Sequence, residues 1–113
     1  MKLSINSPDT ELTVALKDYV TEKVSKLDRF SDSIFDGAVV LRTEGHNGKT
    51  STCAEIVFSV ARGNKVVAIA KHEDMYAAID GAVSKMKGNL TKFNEKIKNR
   101  KTGAVDAYRA ETD

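Results

Sequence analysis

A chain of 113 residues, 41% apolar and 30% charged with a formal net charge of +2, has the size and make-up of one globular domain and excludes a disordered or two-domain protein. No apolar run approaches the roughly eighteen residues of a membrane-spanning helix, and a single cysteine, Cys53, excludes an internal disulfide. Met1, Lys2, Leu3 and Ser4 lack the apolar block of a secretion signal, so a cytoplasmic location is expected.

Lys2 to Asn6 alternates, with Leu3 and Ile5 on one side, and predicts a short strand. Asn6, Ser7, Pro8 and Asp9 form a turn around the only proline. Thr13 is the expected N-cap of a first helix that continues to about Arg29. Its core face is Leu16, Val20, Val24 and Leu27, with Leu12 and Tyr19 at the margins. Lys17, Lys23, Lys26 and Arg29 lie outside that face or on its edge. Basic residues concentrated in the second half suit the helix dipole as well as any ligand.

Phe30 to Ser33 is a polar link, and Ile34 to about Thr43, marked by Val39, Val40 and Leu41, is a second strand. Glu44 to Thr50 holds Gly45, Asn47 and Gly48, a hairpin signal. Thr52 to Val60 alternates with Ala54, Ile56, Phe58 and Val60 on one face and Cys53, Glu55, Val57 and Ser59 on the other. Arg62, Gly63 and Asn64 make a second tight turn before a fourth strand, Val66 to Ala70.

From His72 to about Arg100, Met75, Ile79, Val83, Met86, Leu90, Phe93 and Ile97 recur at steps of four and three. That spacing predicts one helix of about 26 residues, roughly 39 Å long. Asp74 stands at the N-cap, and with Glu73 it puts negative charge at the positive end of the dipole. Residues 102–113, from Thr102 to Asp113, read as a mobile polar tail. The predicted fold class is α+β, a two-layer sandwich of order β-α-β-β-β-α spanning residues 1–101, with both helices packed on one face of a four-stranded sheet.

Charge points to a partner. Residues 85–101 hold seven basic side chains against Glu95 alone, a local +6, while the remaining eleven basic and fifteen acidic residues leave −4 elsewhere. On a helical wheel Lys85, Lys92 and Lys96 fall within about 40° of one another, with Asn89 on the same strip. Lys87 adds a further cation. Ammonium groups one or two turns apart can follow a phosphate backbone, and Lys23, Lys26 and Arg29 join that surface if the helices lie side by side. The surplus covers four turns, more than the dipole requires. Phe58 falls on a core face and Phe35 near a strand start, so the sheet offers no aromatic pair for stacking bases. That favours a reader of folded RNA over a single-strand module.

Catalytic chemistry finds no support. His46, Cys53 and His72 show no metal or nucleophile spacing, and no glycine-rich phosphate loop is present. No cofactor and no metal are expected. Glu73, Asp74 and Tyr76 are assigned to capping and packing at the helix start. Gly88 costs about 1 kcal/mol relative to alanine in mid-helix.

The block Lys71-His72-Glu73-Asp74-Met75-Tyr76-Ala77-Ala78-Ile79-Asp80 resembles the ribosome hibernation-promoting factor family, in its short, single-domain form, and the likeness covers residues 1 to about 100. The resemblance implies a non-enzymatic translation inhibitor, monomeric when free, that occupies the decoding region of the small ribosomal subunit when growth slows. It would block the messenger and transfer RNA sites without engaging membrane or DNA. Implied contacts to ribosomal RNA phosphates are Lys17, Lys23, Lys26 and Arg29 on the first helix and Lys85, Lys87, Lys92 and Lys96 on the second. Gly88 stands where similar sequences often carry a basic residue, with Lys87 beside it in compensation. The alternative is a double-stranded RNA module, whose α-β-β-β-α order lies inside this one.

Overall fold

The computed structural model describes residues 2–30, 34–46 and 48–99. Asn47, the end of the second helix at Arg100 and the predicted tail lie outside the described residues. The elements are β1 (Lys2–Asn6), α1 (Val14–Ser25), a 3-10 turn (Lys26–Phe30), β2 (Asp36–His46), β3 (Lys49–Ser59), a short 3-10 turn (Ala61–Gly63), β4 (Lys65–His72) and α2 (Met75–Asn99). The four strands lie in chain order across one sheet. β2, β3 and β4 form an antiparallel meander, while β1 pairs in parallel with β2. The expected α+β sandwich is the observed one.

Alternation decides which face is covered. Val39 stands opposite Ile56, Leu41 opposite Ala54, and Gly37 opposite Phe58. β4 continues these rows with Ala68, Ala70 and Val66. All of these positions are buried, and the apolar ones join Leu16, Val20, Val24 and Leu27 of the first helical segment and Ile79, Met86, Leu90 and Phe93 of α2 in one core. Both helices therefore pack on the same side. The opposite face carries Val40, Val57, Val67 and Ile69, half-buried. Arg42 pairs with Glu55 there at 3.8 Å, and Lys71 with Glu44 at 3.5 Å.

Several boundaries differ from expectation. The first helix is α-helical only to Ser25 and tightens into a 3-10 turn through Phe30. Leu27 follows Val24 by three residues, the 3-10 period, so tightening keeps it buried on the same face. β2 begins at Asp36 rather than Ile34 and runs on to His46, so Gly45 belongs to a strand and only residues 47 and 48 connect the hairpin. Gly48 has φ +78, as a two-residue connection requires. Gly63 has φ +73 in the second turn. His72 ends β4 instead of opening α2.

Both caps follow from composition. Thr13 Oγ1 accepts from the Leu16 amide at 3.1 Å. Asp74 accepts the Tyr76 amide on Oδ1 at 3.3 Å and the Ala78 amide on its carbonyl at 2.9 Å. Gly88 is exposed on α2, and a Cβ built there meets nothing within 4 Å. Gly88→Ala is accordingly expected to stabilise the fold by about 1 kcal/mol or slightly less. Chemical denaturation of the two proteins measures it, and an unchanged midpoint would contradict the expectation. Among the described residues, no helix is long and apolar enough to cross a membrane.

Candidate nucleic-acid interface

The two helices meet along a seam whose register is set by a polar and aromatic clamp. The Tyr19 hydroxyl donates to Asp80 Oδ1 at 2.5 Å, and the Tyr19 and Tyr76 rings meet edge to face with centroids 4.9 Å apart. Lys23, one turn on, holds its Nζ 5.4 Å from the Tyr19 ring centroid, a cation over an aromatic face. Tyr76 thus packs at the helix start, as expected, but as half of a pair with Tyr19. That pairing is invisible in a sequence that separates the two by 57 positions.

Tyr19 is electrostatically marked. Its hydrogen bond to Asp80, then burial, then the charges of Asp80, Asp74 and Glu22 push its pKa up to about 12 from 10.0. A raised folded pKa means the stabilisation is whole below the unfolded value near 10 and is lost as pH rises through about 12, because only the unfolded chain releases the proton in between. An ultraviolet titration is expected to show one late-ionising tyrosine, absent from Tyr19→Phe. Its persistence in that variant would place the shift elsewhere.

Beyond the clamp the seam turns basic. Lys23, Lys26 and Arg29 from the first helical segment and Lys87 from α2 surround a cavity of about 270 Å³ floored by Leu27 and Val83. Four of the eight sequence-predicted cations are brought together here. Lys26 also pairs with Glu22 at 3.6 Å, both largely exposed.

The other four lie elsewhere. Lys85 sits on the flank of α2 facing the free edge of β4, where its Nζ donates to the Ile69 carbonyl at 3.0 Å. Lys92 and Lys96 follow on the same strip, exposed. Asn89, placed on this strip by the wheel, is 3% exposed and donates to the Val67 carbonyl at 3.0 Å, so it seals the sheet edge. Lys17 is exposed but six positions before Lys23, about 120° away around the helix. The single ridge drawn from the sequence is two groups of cations, one on each flank of α2. Between them the exposed strip carries small side chains at Ser84, Gly88 and Thr91 and then the acidic Glu95.

Nothing here assembles a reaction centre. Among the described residues, no group of three or more His, Cys, Asp or Glu is placed to hold a metal ion. Cys53 is 5% exposed, and burial, with the Glu44 charge, pushes its thiol pKa up, opposite to a reactive thiolate. His72 Nδ1 accepts the Asp74 amide at 3.1 Å and so helps shape the start of α2.

Comparison with known proteins bears on the family and the fold. The profile of the family described as Sigma 54 modulation protein / S30EA ribosomal protein matches residues 3–98. The ribosome hibernation promoting factor of Klebsiella oxytoca is 40% identical over 98 residues, covering 87% of this chain and 98% of that protein. Among solved structures, the Thermus thermophilus Protein Y N-terminal domain superposes with a TM-score of 0.65 at 30% identity, over 82% of this chain and 99% of that one. A ribosomal subunit interface protein from Coxiella burnetii shares the fold, with a TM-score of 0.69 at 19% identity over 84% and 99% of the two chains. With a family profile spanning nearly every described residue and a relative at that identity, the chain belongs to the Sigma 54 modulation protein / S30EA ribosomal protein family.

Proposed function

We propose that this protein is a ribosome-associated inhibitor of translation that lies in the decoding region of the small ribosomal subunit and blocks the messenger and transfer RNA sites by occupying them. It works as a binding protein and catalyses no reaction. The relatives' names support the ribosome as partner. The observation that carries the reading is the interhelical cavity, where Lys23, Lys26, Arg29 and Lys87 converge without an acidic residue among its lining. Cations converging on a shallow basin suit phosphates of a folded RNA, which are recognised by position and shape. Lys85, Lys92 and Lys96 on the far flank, and Lys17 on the outer flank of α1, extend the contact to neighbouring strands.

Steric occupancy makes a direct prediction. Initiator transfer RNA together with a messenger is expected to displace the protein from small subunits, and the protein to displace them in return, because linked exclusion is reciprocal. Sedimentation of small subunits with labelled components measures it. Simultaneous binding of all three would overturn decoding-region occupancy while leaving ribosome association intact. A sixteen-pair RNA duplex serves as the control: binding as tight as to ribosomes would favour the double-stranded RNA module instead.

A further inference from the structure

Burial of Leu16, Val20 and Val24 holds α1 over the sheet, but apolar contact is non-directional and tolerates small slides and rolls. Tyr19 adds a directional tie. Its hydroxyl donates to Asp80 Oδ1 at 2.5 Å across 61 positions of sequence, and a short hydrogen bond constrains both register and roll. Tyr76 steadies the same ring edge-on, with centroids 4.9 Å apart and planes at 80°.

The oriented ring is in turn a seat for a cation. Lys23 Nζ stands 5.4 Å from its centroid, and the lysine is half-buried. Lys23 also lines the basic cavity with Lys26, Arg29 and Lys87. Asp80, Tyr19 and Lys23 therefore make one chain of contacts, crossing from α2 to α1 and then running one turn, about 6 Å, toward the basin. A carboxylate accepting from the phenol pushes electron density into the ring, which strengthens its hold on the cation.

Tyr19 itself is poorly placed to meet RNA. Asp80, Asp74 and Glu22 set their charges around its hydroxyl, a field that repels phosphate. No acidic residue lines the basin one turn on. Lysine is a point charge on a flexible stem, and ordering such a side chain costs affinity unless it is ordered before the ligand arrives.

We propose that Tyr19, oriented by Asp80, is a positioning residue for RNA binding, holding Lys23 at the basin before a phosphate reaches it. This role rests on the reading of the seam as the RNA-binding surface, and it needs no contact between Tyr19 and the RNA.

The test compares the full-length protein with Tyr19→Phe, Asp80→Ala and Asp80→Asn. Both Asp80 variants lose the same charge, but only asparagine keeps an oxygen that can accept from Tyr19. Affinity for small subunits across a salt series should fall about three- to tenfold for Tyr19→Phe and Asp80→Ala, the cost of ordering one lysine on binding. Asp80→Asn should recover most of that loss. Helix propensity alone would rank the two Asp80 variants the other way. The salt slope should not change, because the same phosphates are neutralised in the complex. In the free protein, the Lys23 side-chain protons should carry ring-current shifts that Asp80→Ala reduces and Asp80→Asn retains.

A role in stability alone is separated by a cycle with Lys23→Gln. In that background Tyr19→Phe should change affinity by less than about twofold, whereas a general loosening of the fold would act equally in both. If Asp80→Ala fails to fold, Tyr19→Phe, which keeps the ring, carries the comparison. Wild-type affinity in Tyr19→Phe, or an undiminished loss in the Lys23→Gln background, overturns the proposal. When the charge-reversed seam has lost binding, either result leaves the proposed function standing. A charge-reversed seam that binds small subunits at unchanged affinity and salt slope removes the seam from the interface, and this proposal with it.

Discussion

Replacing Lys23, Lys26 and Lys87 together by glutamate is expected to weaken binding to small ribosomal subunits by at least about 100-fold near physiological salt. The three side chains line one cavity at the end of the helical seam, so a single RNA segment would meet all of them. Each phosphate neutralised contributes about 0.9 to the slope of log affinity against log salt, or roughly fivefold in affinity at ~0.15 M. Three lost contacts compound to about 100-fold and flatten the slope by about three, and charge reversal adds repulsion to that loss. The fold should survive. Lys26 and Glu22 form an exposed pair, worth at most about 1 kcal/mol, and Lys23 contributes a cation–aromatic contact of about 0.5–1 kcal/mol. Co-sedimentation across a salt series, with circular dichroism on the same samples, separates the two effects. Unchanged affinity and slope would remove the seam from the interface. The parallel variant Lys85→Glu, Lys92→Glu and Lys96→Glu asks the same of the other flank, and comparison of the slopes assigns phosphates to each.

Phe58→Ala is expected to be the most damaging single truncation in the sheet, costing about 3–5 kcal/mol. The ring is fully buried and stands between Gly37 of β2 and Val66 of β4 in the cross-strand register. Gly37 has no side chain, so β2 offers nothing at that position to repack into the space the ring would leave. Neither neighbouring strand can close over the cavity its removal would leave. For a domain of ordinary stability, about 5–15 kcal/mol, such a loss approaches the threshold of folding, and at about 4–8 °C per kcal/mol it lowers the melting temperature by tens of degrees. Val57→Ala, one residue away, provides the contrast. Val57 is half-buried on the face without helices, and its truncation is expected to cost about 1 kcal/mol or less. Equal melting temperatures for the two variants would contradict the two-layer arrangement.

The contrast between Phe58 and Val57 also shows what could be read in advance. Alternation in β3 and the three-four spacing of α2 are properties of neighbouring residues, so they assigned core faces without knowledge of the fold. Thr13 and Asp74 were legible as caps for the same reason: each satisfies amides within three or four residues of itself. Boundaries were less legible. Gly45 looked like part of a turn, yet cross-strand pairing with Thr50 holds it in β2. That pairing spans the hairpin and has no local signal.

The site followed the same division. Sequence alone determined that the chain carries a long amphipathic helix with a basic second half, and that cations gather near the end of α1, because charge and helical phase are both local. Only the tertiary structure decided which of them meet. How far α2 is rolled about its axis is set by burial of Met86, Leu90 and Phe93 and by the Tyr19–Asp80 bond to α1. That roll carries Lys87 into the seam with Lys23, Lys26 and Arg29, turns Lys85 toward β4, and buries Asn89 against a strand edge. A helical wheel gives angles between residues on one helix, but the zero of that wheel is chosen by what the helix packs against.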